Sequence, residues 1–235
     1  MGQVDLITRC YFATEILGLE RLLLSKMAES RRIEGQVLTG RDASSLVVDT
    51  LAGLTRGQGA AIACFYFDFA ARKEQSSASA LGALLKQVVS GLEEIPGEIV
   101  EAYEDQKSVV GGGGPQLAAI IKMLQNTASM KRTFLFIDAL DECVARDRAK
   151  ILDSLDQIIQ CSPGTRIFVT GRSYIEAEVG RRLSGRVTAM RITPRRDDVV
   201  SYIHRRLDED TTPDAMDGNI KGDILKKIPD NISEM

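Results

Sequence analysis

The stretch Phe134-Leu-Phe-Ile-Asp-Ala-Leu-Asp-Glu-Cys143 decides the fold of this chain. Four consecutive apolar residues are followed directly by one carboxylate, and two further carboxylates come shortly after it. Such a run is typical of a strand that is buried on both faces of a parallel sheet. Asp138, Asp141 and Glu142 would then follow its carboxyl end, where open α/β sheets bind ligands. This is the layout of a Walker B motif, in which one carboxylate holds Mg²⁺ and another orients water. The alternative is a core strand followed by an acidic helix start.

Further strands alternate with helices along the chain. Apolar runs predict strands at 60–69, 166–170 and 187–192. Helical spacing of apolar residues predicts helices at 44–54, 79–92, 98–103, 116–130 and 145–160, and one more after Pro194. This alternation indicates an α/β fold with a three-layer, mostly parallel sheet and flanking helices.

The predicted organisation has three segments. Apolar residues at helical spacing between Asp5 and Met27 predict a long amphipathic helix within an N-terminal segment, 1–34. The α/β domain is expected at 35–208. A helical tail, which we interpret as truncated, is expected at 209–235.

Composition excludes several classes of function. The formal net charge of −3 argues against nucleic-acid binding, and no apolar stretch approaches the roughly 20 residues of a membrane span. Charged Asp5 and Arg9 interrupt the N-terminal apolar segment, so it is not a signal peptide. Four scattered cysteines indicate reduced thiols and a cytoplasmic location. The single histidine, His204, supports no Ser-His-Asp triad. The arginine-rich segment 181–206 is interpreted as a solvated helix surface, with a basic binding face as the alternative.

Four elements in order resemble a known family. They are Cys64-Phe-Tyr-Phe-Asp-Phe69, Leu84-Leu-Lys-Gln-Val-Val89, Phe136-Ile-Asp-Ala-Leu-Asp-Glu-Cys143 and Ile167-Phe-Val-Thr-Gly-Arg172. Over about residues 43–230 the chain resembles the NACHT-type domains of the STAND class of P-loop NTPases. The likeness is to the nephrocystin-like group of fungal proteins, which often carry ankyrin or other repeats.

The resemblance implies a P-loop-NTPase-like fold and a nucleotide-dependent switch. ATP or GTP with Mg²⁺ would be the cofactors, with Asp138 as the metal residue and Asp141 and Glu142 as the catalytic residues. Arg172 would reach the γ-phosphate as a sensor, because a guanidinium grips phosphate oxygens bidentately. The alternative for Arg172 is an exposed arginine in a loop. Protein partners are also implied, and the formation of homo-oligomers stays open.

The phosphate-binding loop departs from the family pattern. The candidate is Gly35-Gln-Val-Leu-Thr-Gly40-Arg41-Asp42, in which Gly35, Gly40 and Arg41 are the predicted nucleotide-binding residues. Arg41 stands where lysine is needed and Asp42 where a hydroxyl is needed; in the other register Gly40 replaces the lysine. A carboxylate about 4 Å from a phosphate is repelled by about 4 kcal/mol at an effective dielectric near 20.

The strand that should precede this loop is also weak. Residues 31–38 offer only Ile33, Val37 and Leu38 among polar residues, whereas a central parallel strand is nearly continuously apolar. This leaves a predicted gap in the sheet beside the Walker-B-like strand. A short strand at 35–39 could fill it, the N-terminal helix could cover the edge, or the N-terminal segment is not that of an intact family member.

Two functions from different classes follow. The first is a NACHT-like regulatory module that binds Mg²⁺–nucleotide with weak or absent hydrolysis. The second is a pseudo-NTPase scaffold that binds proteins and no nucleotide. A small-molecule kinase is a third interpretation, but it would need an intact P-loop.

Overall fold

The computed structural model describes residues 9–14, 48–53, 55–56, 59–108, 114–184, 187–192, 196–208 and 218–232. The strands in these ranges are β1 Arg9–Thr14, β2 Ala61–Tyr66, β3 Thr133–Asp138, β4 Arg166–Arg172 and β5 Val187–Ile192. The helices are α1 Ser77–Ser90, α2 Gly97–Ser108, α3 Leu117–Met130, α4 Ala145–Cys161, α5 Glu176–Arg182, α6 Arg196–Asp208 and α7 Gly218–Ile232. Short 3-10 helices follow β3 (Leu140–Glu142) and β4 (Ser173–Ile175), and residues 48–53 are helical.

The strands form one sheet in the order β2-β3-β4-β1-β5. Strands β2, β3 and β4 are parallel to one another, whereas β1 is antiparallel to both β4 and β5. The predicted α/β class and the mostly parallel sheet are therefore confirmed.

Strand β3 is paired along both of its edges. Residues 61–66 lie opposite 133–138 on one side, and residues 166–169 lie opposite 134–137 on the other. The gap that the sequence predicted beside β3 is therefore wrong, because β4 fills that position. Residues 35–39 lie outside the described residues, but a strand formed there has no free edge of β3 to join.

The N-terminal helix prediction is wrong for Arg9–Thr14, which form strand β1. The remainder of the predicted helix lies outside the described residues. Short apolar runs fit a helix and a strand equally well when periodicity alone is considered. The segment is rich in residues that favour strands, including Tyr11, Phe12 and Thr14, and its backbone is hydrogen-bonded to a strand on each side.

The core lies on both faces of β3, as the apolar run predicted. Leu135 and Ile137 are fully buried in a cluster formed with the inward faces of α1, α3 and α4. On the opposite face, Phe134 and Phe136 are also buried, and the Phe136 ring stacks on Phe168 of β4 with centroids 4.8 Å apart. Burial of alternate residues on the two faces explains why the four residues of β3 between Thr133 and Asp138 are all apolar.

Two glutamine side chains protect the outer edge of the sheet, which β2 forms. The Gln87 side chain accepts from the Cys64 N–H (3.0 Å) and donates to the Cys64 carbonyl (2.8 Å). The Gln75 side chain accepts from the Asp68 N–H (2.8 Å) and donates to the Tyr66 carbonyl (3.1 Å). Both amides therefore satisfy backbone groups that a neighbouring strand would otherwise bind.

Replacement of Gln87 should destabilise the protein and expose the backbone groups at the β2 edge of the sheet. For Gln87→Ala we expect the free energy of unfolding to fall by about 1–3 kcal/mol, because two backbone groups of Cys64 lose their partners. We also expect concentration-dependent association through β2. Urea unfolding and sedimentation velocity measure the two effects. The control is Gln160→Ala, since Gln160 is exposed and donates to Asp156 of its own helix. Identical behaviour of the two variants would contradict the capping role.

Candidate functional site

The carboxyl ends of β3 and β4 bring four of the predicted site residues together. Strand β3 ends at Asp138 and β4 ends at Arg172, and the two strands are parallel neighbours. Asp141 and Glu142 follow within the 3-10 helix that β3 enters. We call Asp138, Asp141, Glu142, Thr170 and Arg172 the edge site.

Asp138 is buried and is held by the threonine of the neighbouring strand. Its carboxylate accepts a hydrogen bond from the Thr170 hydroxyl at 2.5 Å, and Asp138 is only 2% exposed. The same hydroxyl oxygen accepts from the Ala139 N–H at 2.9 Å. Ala139 has φ 55° and ψ 43°, a left-handed conformation that is unfavourable for a residue with a Cβ. Thr170 thus fixes the bend by which the chain leaves β3.

Asp141 is paired with the predicted sensor. Its carboxylate Oδ2 lies 3.2 Å from Arg172 Nε; the Asp141 side chain is 6% exposed and that of Arg172 39%. Gly171 permits the close packing here, since a Cβ at this position would lie 2.5 Å from Ile175 Cδ1 and 3.3 Å from Asp141 Oδ1. The Tyr174 hydroxyl donates to the Asp141 carbonyl at 3.2 Å. Burial and the Asp141 carboxylate raise the pKa of Tyr174, so it remains a donor at neutral pH.

Glu142 is bound to the loop that follows β2. Its Oε2 accepts from the Phe69 N–H at 3.0 Å and so fastens the loop after β2 to the turn after β3. Each of the three carboxylates therefore interacts with a different protein group, which is a hydroxyl, a guanidinium or a backbone N–H. Across the described ranges, no three His, Cys, Asp or Glu side chains are grouped as a metal site would need.

Cys143, the residue after the acidic turn, is a structural thiol. Burial, together with the nearby Asp147 carboxylate, raises its pKa to about 11. A thiol with this pKa is almost wholly protonated near pH 7, and the thiolate is the reactive form. Cys143 therefore supplies no nucleophile to the edge site.

The sequence-predicted residues fall into two groups. Asp138, Asp141, Glu142 and Arg172 lie at the shared sheet edge. The predicted phosphate-loop residues Gly35, Gly40 and Arg41 lie outside the described residues, and their roles stay predictions. The metal and catalytic roles that the resemblance implies likewise stay predictions.

Thr170 is the edge-site residue that sequence reasoning missed. It sits in the quoted Ile-Phe-Val-Thr-Gly-Arg element as the one hydroxyl residue, three positions past Ile167. A hydroxyl residue near the end of a strand beside an acidic strand end is the signal that could have identified it. Because the order of β3 and β4 in the sheet was not known, their side chains could not be paired in advance.

Within the part of the chain that the structure describes, no helix is both long and apolar enough to traverse a bilayer. The chain folds as an α/β domain whose acidic strand end meets an arginine on the next strand. Comparison with known families gives a match to the family described as Nephrocystin 3, N-terminal, over residues 42–172, which is more than half of the 235 residues. The chain belongs to this family. Comparisons with curated proteins and with solved structures gave no match.

The limits of the family match separate the edge site from the phosphate-loop candidate. The match ends at Arg172, the last residue of β4, and contains the complete edge site. It begins at Asp42, after Gly35, Gly40 and Arg41. The resemblance seen in the sequence extended further, to about residue 230.

Removal of the Thr170 hydroxyl should destabilise the edge site. For Thr170→Val, which keeps the shape of the side chain, we expect the free energy of unfolding to fall by about 2–4 kcal/mol. The reason is that the buried Asp138 carboxylate loses a donor and the Ala139 N–H loses its acceptor. Urea unfolding provides the measurement. Thr170→Ser retains the hydroxyl and should be closer to the native protein; equal losses in both variants would mean that packing, rather than hydrogen bonding, explains the effect.

Proposed function

We propose that this chain is a regulatory domain of the NACHT type that acts through contacts with other proteins and does not hydrolyse nucleotide. The observation that carries the proposal is that a protein group engages each acid of the edge site: Thr170 engages Asp138, Arg172 engages Asp141 and the Phe69 N–H engages Glu142. Its membership of the nephrocystin 3 N-terminal family is consistent with a regulatory module of this type.

The sequence of the candidate phosphate loop supports the proposal. A P-loop connects a strand to a helix, and its backbone N–H groups surround the phosphates. Its lysine reaches the phosphate oxygens and its hydroxyl binds Mg²⁺. Arg41 and Asp42 stand at these two positions, and neither reproduces the lysine or the hydroxyl.

The contacts of the acidic side chains support it further. A Mg²⁺–nucleotide complex needs carboxylate oxygens that converge on the metal shell and on the attacking water. Here Asp138 is bound by Thr170, Asp141 by Arg172 and Glu142 by the Phe69 N–H. These contacts support the proposal, because Mg²⁺ with ATP or GTP would have to compete for the carboxylate oxygens that they engage.

A second candidate function is Mg²⁺–nucleotide binding with weak or absent hydrolysis. The observation that favours it is the meeting of Asp138, Asp141 and Arg172 at one sheet edge. This is the placement expected of a metal residue, a catalytic carboxylate and a phosphate sensor.

Wider features of the proposal rest on the resemblance. They are a cytoplasmic location, protein partners, assembly into homo-oligomers and an association with ankyrin or other repeats in fungal proteins. None of these requires nucleotide chemistry at the edge site.

Calorimetric titration separates the two candidates. We expect the folded protein to give no binding heat with ATP or GTP up to about 1 mM, with or without Mg²⁺, because the site lacks a phosphate cradle. Circular dichroism establishes that the sample is folded. Micromolar binding that requires Mg²⁺ and is lost in Asp138→Asn would overturn the proposal in favour of the second candidate.

Introduction of the P-loop lysine and hydroxyl also tests whether the chain binds nucleotide. The double change Arg41→Lys with Asp42→Thr recreates the lysine and hydroxyl that a P-loop uses. We expect no gain in nucleotide affinity, because protein groups already engage the carboxylates of Asp138, Asp141 and Glu142. The same titration measures it. A gain of about tenfold or more would show that residues 35–42 face a phosphate site.

A further inference from the structure

An apolar groove lies on the helical layer, away from the edge site. It has a volume of about 810 Å³ and runs along α1 between the segment that leads into α2 and the start of α3. Its apolar lining includes Gly82, Leu85, Val89, Ile95, Ile99 and Ile120. No residue of the edge site contributes to it.

The groove has the length of a short helix. Its α1 wall extends from Ala78 to Ser90, which at 1.5 Å per residue is about 18 Å, or three helical turns. Gly82 leaves space at the middle of this wall because it has no side chain. A Cβ at Gly82 would lie 3.8 Å from Ile120 Cδ1, which is an ordinary contact distance. The shape is that of an elongated channel between helices.

Large apolar side chains remain exposed at the groove and on the helix that follows. Ile95 lines the groove and is 58% exposed, and Val100 and Tyr103 on α2 are 40% and 56% exposed. Contiguous apolar surface of this kind is characteristic of interaction sites. The groove and α2 therefore present one continuous candidate surface.

The margin of the groove is strongly acidic. Residues 93–105 contain six acidic residues and no basic residue. They are Glu93, Glu94, Glu98, Glu101, Glu104 and Asp105. Glu93 and Glu94 are exposed and lie in sequence between Leu92 and Ile95, both of which line the groove. Lys86 is the single basic residue among the lining residues.

We propose that the groove binds an amphipathic helix of a partner protein that carries lysine or arginine beside its apolar face. The apolar face would enter the groove, in the manner of helix-in-groove recognition. The basic side chains would meet the acidic segment 93–105, whose charge steers and selects partners. This proposal rests on the proposed function, for which it supplies the chemical class of the partner.

The acidic margin decides between the alternative occupants. A neutral apolar small molecule fills a pocket of this volume but makes no use of the exposed Glu93 and Glu94 between the lining residues Leu92 and Ile95. A basic helix uses both the apolar floor and the charge. A second copy of this chain is the remaining occupant, and the experiment detects it directly.

The test uses the whole chain and synthetic peptides of about 16 residues. The first peptide is a leucine–lysine amphipathic helix, the second replaces each lysine by glutamate, and the third scrambles the first. Fluorescence anisotropy measures affinity. We expect micromolar binding of the first peptide, weakening as salt is raised, and at least about tenfold weaker binding of the other two.

Three variants locate the binding. Ile95→Asp places a charge on the exposed apolar wall, and Glu93→Lys with Glu94→Lys reverses the charge of the margin. Both variants should bind the first peptide about tenfold more weakly. Both variants should fold, because the replaced side chains are exposed. The matched control, Asp208→Lys with Asp223→Lys, makes the same change in net charge on exposed residues of α6 and α7 and should bind as the native protein does.

Several outcomes would overturn the proposal. They are equal binding of the acidic peptide, unchanged affinity in Ile95→Asp, or sedimentation showing that the groove is closed by a second copy. The result is independent of the nucleotide titration. If the peptides do not bind and nucleotide does not bind either, only the groove proposal is refuted. If nucleotide binds in a Mg²⁺-dependent manner, only the proposed function is refuted.

Discussion

The pairing of β3 with β2 on one side and β4 on the other is the constraint on which the rest of the structure depends. It places a strand with four consecutive apolar residues, 134–137, in the middle of three parallel strands, where both faces are buried. It also brings the ends of β3 and β4 to one edge, so that Thr170 reaches Asp138 and Arg172 reaches Asp141. Because hydrogen bonds of the sheet use both edges of β3, the identity of its neighbours determines what chemistry the edge can support.

Family membership and site chemistry have different consequences for this chain. The match to the nephrocystin 3 N-terminal family covers β2, β3, β4 and the helices between them. The carboxylates at the sheet edge are engaged in contacts within the protein, which stabilise the turn after β3. Under the proposed function these acids are structural elements, and the groove along α1 is the surface that binds a partner.

Much of the fold could be predicted from the sequence, because its signals are local. The apolar run 134–137 and the turn Ser162-Pro163-Gly164 predicted β3 and the end of α4. The position of β1 could not be predicted, since its strand conformation depends on partners far along the chain.

The candidate site could be predicted in part. The resemblance alone assigned Asp138 and Arg172 to one site, and the structure has both at the edge where β3 and β4 end. The contacts of Thr170 and Gln87 depend on the order of strands and the orientation of a helix, which no local pattern encodes.

The antiparallel strand β1 has a consequence for the order in which the molecule is built. Ala13 lies opposite Phe168 and Thr14 lies opposite Val187, so the partners of β1 are more than 150 residues away. Closing such a loop is slow, because its entropy is lost before any contact is gained. Strand β5 joins the sheet through β1 and must wait for it. On the ribosome, β1 is therefore held without its partners until β4 and β5 have been synthesised.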